Sequence, residues 1–259
     1  MSVEIKNLTK KYKDITAVDG LSLSIGGGEL FALLGVNGAG KTTTIKMLSC
    51  LCRPTSGDAL LCGVSISEQP QKVKALIGTS PQETAVAPNL SVRENLELIA
   101  GAYGLSGDEK KQRVKELLDE FDLNSIAAKR AKKLSGGWQR RLSIAMALVS
   151  EPKVLFLDEP TLGLDVIARS ELWDVIRSLK GRATVILTTH YLEEARELSD
   201  RIGVMKDGRL LFVGTADEIL KETGESDFEK AFVKLVKEGK KCGCSLLQTE
   251  LLKKLSVTR

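Results

Sequence analysis

Gly35-Val36-Asn37-Gly38-Ala39-Gly40-Lys41-Thr42 fits the pattern G-x-x-x-x-G-K-[ST], and it falls between a continuous apolar run and a helix-like segment. That placement suits a polyphosphate. Glycines let successive backbone N–H groups converge on an anion, a helix N-terminus adds positive potential, and Lys41 sets a full charge at β- and γ-phosphates. Thr42 offers a hydroxyl to Mg²⁺, and Thr43 completes the loop. A second acidic feature closes the apolar run Val154-Leu155-Phe156-Leu157: Asp158 and Glu159 stand where ligands of open α/β sheets collect. Asp158 suits the Mg²⁺ shell, and Glu159 can orient and polarise a water attacking the γ-phosphate. Alone, an acidic strand end reads as a turn or helix cap; its pairing with the phosphate loop makes it a site. Leu134-Ser135-Gly136-Gly137 precedes a helical pattern from Gly137 to Val149, and offers an anion a hydroxyl, bare N–H groups and a positive helix end.

The elements that carry these residues follow from periodicity. Val3-Glu4-Ile5-Lys6 and Leu21-Ser22-Leu23-Ser24-Ile25 alternate like half-buried strands, so the chain begins with a small amphipathic antiparallel sheet. Leu30 to Leu34 reads as a buried strand, and a helix is expected from Lys41 to Cys52, before Pro54. Ser91-Val92-Arg93-Glu94 is a capping box opening a helix to about Tyr103, and a second helix is expected from about Asp108 to Phe121. Buried strands resume at Val154 to Leu157 and Ala183 to Thr188, with an amphipathic helix from about Val166 to Leu179 between them. Asp207-Gly208 marks a hairpin, Thr215-Ala216-Asp217-Glu218 caps a short helix, and Ser226-Asp227-Phe228-Glu229 caps another. Leu247, Leu251 and Leu255 suggest a last helix. The expected fold is α/β, with residues 1–83 and 151–224 forming the core, 84–150 an inserted helical lobe, and 225–259 a basic helical extension.

Composition bounds the rest. At 259 residues, 42% hydrophobic and 28% charged with net charge +4, the chain excludes disorder, collagen and coiled coil. No apolar run reaches the length of a bilayer span, and the first residues form no signal peptide, so a chain neither spanning nor secreted is expected. Five cysteines, an odd number, point to reduced thiols. Cys242-Gly243-Cys244 lacks a second pair at zinc spacing, and the sole histidine, His190, is far away, so no zinc site is expected. Residues 230–259 carry +6 and the remainder −2; the plain reading of that tail is a solvated helix face.

With these motifs in order, residues 1–220 resemble the ATP-binding subunits of ABC transporters, which are P-loop (RecA-like) ATPases. The resemblance implies that Leu134 to Gly137 is the family signature, whose Ser135, Gly136 and Gly137 contact the γ-phosphate bound to the other protomer. It implies that Gln82 meets Mg²⁺ and the attacking water, that His190 after Thr188-Thr189 is the switch histidine, and that Asp165 of Gly163-Leu164-Asp165 lies at the dimer interface. Tyr12 matches the aromatic that stacks on adenine. Trp138, and Ala145-Met146-Ala147-Leu148, depart from the common wording without touching phosphate-contacting positions. The wording around Gly57-Asp58, Gly63, Leu134 to Arg141 and Thr188 to Ala195 looks most like the branch that exports drugs, antibiotics and polysaccharides in bacteria. Implied partners are a second copy, head to tail around ATP and Mg²⁺, and a membrane permease seated near Gln82 to Asn95, with Glu83, Val86 and Leu90 as contacts. A place on the cytoplasmic face of a bacterial membrane follows, and no specific nucleic acid is expected.

Competing readings are weaker. No Asn-Lys-x-Asp reads guanine, and small-molecule kinases do not require the Ser135 signature. A soluble ATPase of the same superfamily, acting on ribosomes, nucleic acid or protein, stays open, although such proteins carry tandem cassettes or long coiled coils.

Overall fold

The computed structural model describes residues 1–239. Val3–Tyr12 (β1) and Ile15–Ile25 (β2) pair antiparallel, and Ser56–Leu61 (β4) with Val64–Ser65 (β5) extends them into a sheet of order β2-β1-β4-β5. The antiparallel sheet is present as expected, with β2 starting at Ile15 instead of Leu21. The second sheet contains Leu30–Gly35 (β3), Ile77–Ser80 (β6), Val154–Asp158 (β7), Thr184–Thr189 (β8), Arg201–Lys206 (β9) and Arg209–Gly214 (β10). Its order is β10-β9-β3-β8-β7-β6, and every pairing is parallel except the β9–β10 hairpin, which turns at Asp207-Gly208. The carboxyl ends of β3, β8, β7 and β6 therefore lie side by side along one edge.

Buried strands of a parallel sheet are apolar on both faces, as β3, β7 and β8 largely are. On one face Leu30, Ala32, Leu34, Leu155, Leu157, Val185 and Leu187 join a core shared with the helical lobe. On the other, Phe31, Leu33, Phe156 and Ile186 pack with Val3, Ile5 and Leu23 of the antiparallel sheet. The period of two along each strand thus builds two cores separated by one sheet.

The helices are Lys41–Leu48 (α1), Pro70–Lys74 (α2), Val92–Ala102 (α3), Gly107–Glu120 (α4), Gly136–Ala147 (α5), Val166–Ser178 (α6), Leu192–Leu198 (α7), Ala216–Thr223 (α8) and Phe228–Glu238 (α9). Ser91 and Thr215 form full capping boxes with Glu94 and Glu218, as expected. Further boundaries differ from expectation, among them α5, which runs Gly136–Ala147 instead of Gly137 to Val149. Helix α1 stops at Leu48, not Cys52, because Cys50 turns to φ 56° and the N–H groups of Leu51 and Cys52 return to Lys46 O. The cap of α9 is Asp227, whose carboxylate accepts from Lys230 N, rather than Ser226, and this register buries Phe228, Ala231 and Leu235. Strand β8 begins at Thr184 rather than Ala183. The helix expected around Leu247 to Leu255, and Cys242 and Cys244, lie outside the described residues. Among the described residues no helix is long and apolar enough to cross a membrane.

Helix α5 packs so closely on β6 that a Cβ at Gly78 would lie 2.1 Å from Ala147 O and 3.0 Å from Pro152 Cγ. Gly78→Ala is expected to cost about 3 kcal/mol, the upper range for overpacking, read as a lower denaturant midpoint at unchanged slope.

Candidate active site

The glycine-rich loop leaves β3 and enters α1 through Gly40, whose φ of 100° and 2.5 Å distance from a built Cβ to Ala17 O leave no room for a side chain. Lys41 is buried. Its Nζ donates to Gly35 O at 2.7 Å and Val36 O at 3.3 Å, and lies 3.3 Å from Glu159 Oε1. The ammonium thus sits folded on its own loop, against the carboxylate at the end of β7.

Glu159 is 6% exposed and adopts φ 51°, a left-handed conformation unusual for a non-glycine residue. Its N–H donates to Thr188 Oγ1 at 3.0 Å and to Thr188 O at 3.2 Å, which holds the strained turn. His190 Nδ1 donates to Glu159 Oε2 at 2.6 Å. One buried carboxylate therefore bridges the loop lysine and the histidine after β8.

Asp158 and Thr188 are in register across β7 and β8. Asp158 Oδ1 accepts from Thr188 Oγ1 at 2.5 Å and from Thr42 Oγ1 at 3.1 Å. The carboxylate is turned to the hydroxyl of the phosphate loop by a threonine that the sequence reading did not single out; its role depends on strand register.

These groups floor a cleft of about 700 Å³. Asn37, Gly38, Ala39, Gly40, Lys41, Thr42 and Thr43 line one side, Gln82, Glu159 and His190 another, and Tyr12 stands at the rim with Ile15, Thr16 and Ala17. Gly35 and Asp158 are not among the lining residues. Burial and a bond to Cys52 Sγ push the Tyr12 phenol above its ordinary pKa, and Lys10 Nζ lies 4.9 Å from the ring centre. Ser135, Gly136, Gly137 and Asp165 are not among the lining residues. Ser135 begins α5 without a side-chain cap bond and is exposed, while Asp165 caps α6 by accepting from Ala168 N at 2.9 Å.

Arg140 was also missed. On α5 it is 5% exposed, and its guanidinium donates to Pro81 O and Gln82 O, both at 2.6 Å. Burial pulls its pKa below the usual arginine value, opposed by Asp158 and Glu194. Helix α5 thereby pins the backbone that presents Gln82. A helical arginine reads as solvent-facing in sequence, and only the packing of α5 on β6 turns it inward.

Known proteins are similar to this chain in sequence and fold. The ABC transporter family pattern matches residues 18–162. A daunorubicin resistance ATP-binding protein of Streptomyces coeruleorubidus is 44% identical over 86% of the chain and 71% of its own length. A Nod factor export ATP-binding protein of Paraburkholderia xenovorans is 42% identical over 85% of the chain and 72% of its own. A probable multidrug ABC transporter ATP-binding protein of Escherichia coli K12 is 39% identical, and the chain spans 41% of its length. Among solved structures, an ATP-binding subunit of an ABC transporter superposes with a TM-score of 0.80 at 31% identity, covering 91% of this chain and 99% of that one. A dimeric ATP-binding cassette in a post-hydrolysis state with ADP and phosphate superposes at 0.74 and 31% identity, over 82% and 98%. The chain belongs to the ABC transporter family, as an ATP-binding, ATP-hydrolysing subunit of the branch whose named members serve drug resistance and Nod factor export.

Proposed function

We propose that this subunit works as one half of a head-to-tail pair, hydrolysing ATP held between its own Gly35–Thr43 loop and the partner copy's signature to drive an export permease. The observation that carries the reading is the convergence of Lys41, Glu159 and His190, with Asp158 on Thr42, at the carboxyl ends of three adjacent parallel strands. Residues 1–83 and 151–224 then form the nucleotide core and 84–150 the lobe that carries the signature.

Within this reading the loop N–H groups and Lys41 hold the β- and γ-phosphates. Glu159 orients the attacking water and takes its proton as the bond from water oxygen to phosphorus forms and the bond to ADP breaks. His190, bonded to Glu159, fixes that carboxylate and faces the γ-phosphate. Thr42, Asp158 and Gln82 would hold Mg²⁺, and the set fits: all donors are oxygens, and the Thr42 hydroxyl already converges on Asp158 Oδ1 at 3.1 Å. When bound, the ion neutralises charge on the phosphate oxygens. Tyr12 at the rim serves the adenine ring.

Ser135, Gly136 and Gly137 lie away from the chain's own cleft, and the Ser135 hydroxyl makes no cap bond, which favours a role on nucleotide held by a second copy. Asp165 stands at the same interface. A permease would seat near Gln82 to Asn95, touching Glu83, Val86 and Leu90, with the subunit on the cytoplasmic face of a bacterial membrane. Buried Asn95 shapes that segment: its amide accepts from Ala87 N at 2.7 Å and donates to Ser91 O at 2.8 Å.

Lys41→Ala is expected to weaken ATP binding about 10- to 100-fold, the value of a charge-assisted hydrogen bond, in a calorimetric titration. Unchanged affinity would remove the loop from the site. The wider reading is tested by purifying tagged Glu159→Gln protein from its own cells in mild detergent with ATP. Recovery of a polytopic membrane protein supports the transporter reading. Ribosomes, nucleic acid or soluble protein alone, with membranes fully dissolved, would replace it with the soluble ATPase.

A further inference from the structure

Helix α6 starts at the Asp165 cap, and its first turn exposes two large apolar side chains, Val166 at 77% and Ile167 at 73%. One and two turns further along, two residues spaced i, i+4 reach the short helix α7 that follows His190. Arg169 Cζ lies over the Tyr191 ring, 4.8 Å from its centre, and the Tyr191 ring lies 4.2 Å from that of His190, tilted by 39°. Trp173 Nε1–H donates to Glu194 Oε1 at 3.3 Å. The spacings match: i, i+4 on α6 meets i, i+3 on the start of α7, so two packed faces are tied at two points.

Glu194 is wholly buried and no step of the hydrolysis uses it. Its carboxyl is flanked by Thr161, two residues past Glu159, and Thr189, one residue before His190. Thr189 Oγ1 in turn accepts from Tyr191 N at 2.9 Å. Burial pushes the carboxyl above its ordinary pKa, toward the neutral form that can donate as well as accept. Glu194 Oε2 and Thr161 Oγ1 nonetheless form no hydrogen bond of good geometry. Arg169 Nε is likewise without one. The Thr189 and Thr161 hydroxyls still lie close enough to the carboxyl to oppose that rise, so Glu194 meets Trp173 on one side and the Glu159 turn on the other.

We propose that Arg169, Trp173 and Glu194 are positioning residues that tie the outer turn of α6 to the His190–Glu159 pair. Seating of a second copy on Asp165, Val166 and Ile167 would shift α6, and the two ties would carry that shift to both sides of the catalytic glutamate: to His190 through Tyr191, and to the Glu159–Leu164 turn through Glu194. The start of α5 in turn rides on the first turn of α6, because a Cβ at Gly137 would lie 3.1 Å from Ala168 Cβ. The inference rests on the assignment of Glu159 and His190 to the chemistry.

The test separates kcat from ATP affinity in the full chain. Glu194→Leu is expected to lower kcat about 10- to 100-fold, the scale on which a small misplacement acts, with the Kd for ATP held within about threefold. Glu194→Gln, whose amide keeps one donor and one acceptor, should restore most of that loss. Arg169→Ala, at a partly exposed position, should lower kcat with the same unchanged affinity, and it decides the matter if the Leu variant does not fold. Equal activities for the Gln and Leu variants, parallel loss of affinity and kcat, or normal kcat in Arg169→Ala would overturn the proposal. Glu159→Gln measured alongside keeps the two readings apart: an inactive Glu159→Gln with fully active Arg169→Ala and Glu194→Leu leaves the site standing and removes the relay.

Discussion

Glu159→Gln is expected to lower ATP turnover at least about 100-fold, the loss typical of a general base, while ATP still binds. The amide is nearly isosteric, so the buried position and the N–H bonds to Thr188 at 3.0 and 3.2 Å survive. What disappears is the charge that faces Lys41 Nζ at 3.3 Å and accepts from His190 at 2.6 Å. Lys41 is then released to nucleotide, so affinity holds or rises. Phosphate release at saturating ATP, with nucleotide affinity measured on the same protein, checks both halves. Turnover within about threefold of the parent, against the 100-fold expected for a base, would take Glu159 out of the water-activating role.

The second large effect belongs to a residue that touches no phosphate. Arg140→Met keeps most of the buried volume but leaves Pro81 O and Gln82 O without the donors that reach each at 2.6 Å. With a hydrogen bond to a charged donor contributing roughly 1.5 to 3 kcal/mol, a destabilisation of about 3 kcal/mol is expected. At this chain length that corresponds to a thermal midpoint lower by about 8 °C. Turnover should fall as well, because the backbone carrying Gln82 loses its anchor to α5. Arg140→Lys, which retains the charge but not the planar fork, can satisfy one carbonyl at a time and should recover only part of both losses. A midpoint within about 1 °C of the parent would show that the Gln82 segment is held by other means.

The local features of the chemistry were legible before the fold. The glycine loop with Lys41 and Thr42 sits where the strand and helix patterns placed it, and Asp158-Glu159 ends a buried strand. Each depends on residues adjacent in the chain, as do the capping boxes at Ser91 and Thr215. What escaped depends on register between distant segments. Thr188 orients Asp158 only because β7 and β8 are aligned with those residues opposite each other. Arg140 braces Gln82 only because α5 lies across β6. The short helices α2 and α7 have too few residues to show a helical period, and β2 opens with Ile15-Thr16-Ala17-Val18-Asp19-Gly20, whose adjacent apolar pair and glycine break the alternation. At Ser226-Asp227 two adjacent capping side chains compete, and burial of Phe228 rather than propensity chooses between them.

Strand β3 has a further property that concerns how the protein is made. Both of its neighbours in the sheet, β8 and β9, come from residues 184–206. A ribosome adding about 5 to 20 residues per second exposes the phosphate loop for about 7 to 30 seconds before that strand gains a hydrogen-bonding partner. The antiparallel sheet is different, since β1, β2 and β4 are all complete by Leu61 and can pair early. The nascent polypeptide can therefore pair its outer sheet well before its phosphate loop is braced, and a chain truncated before β8 and β9 emerge leaves β3 without either of its partner strands.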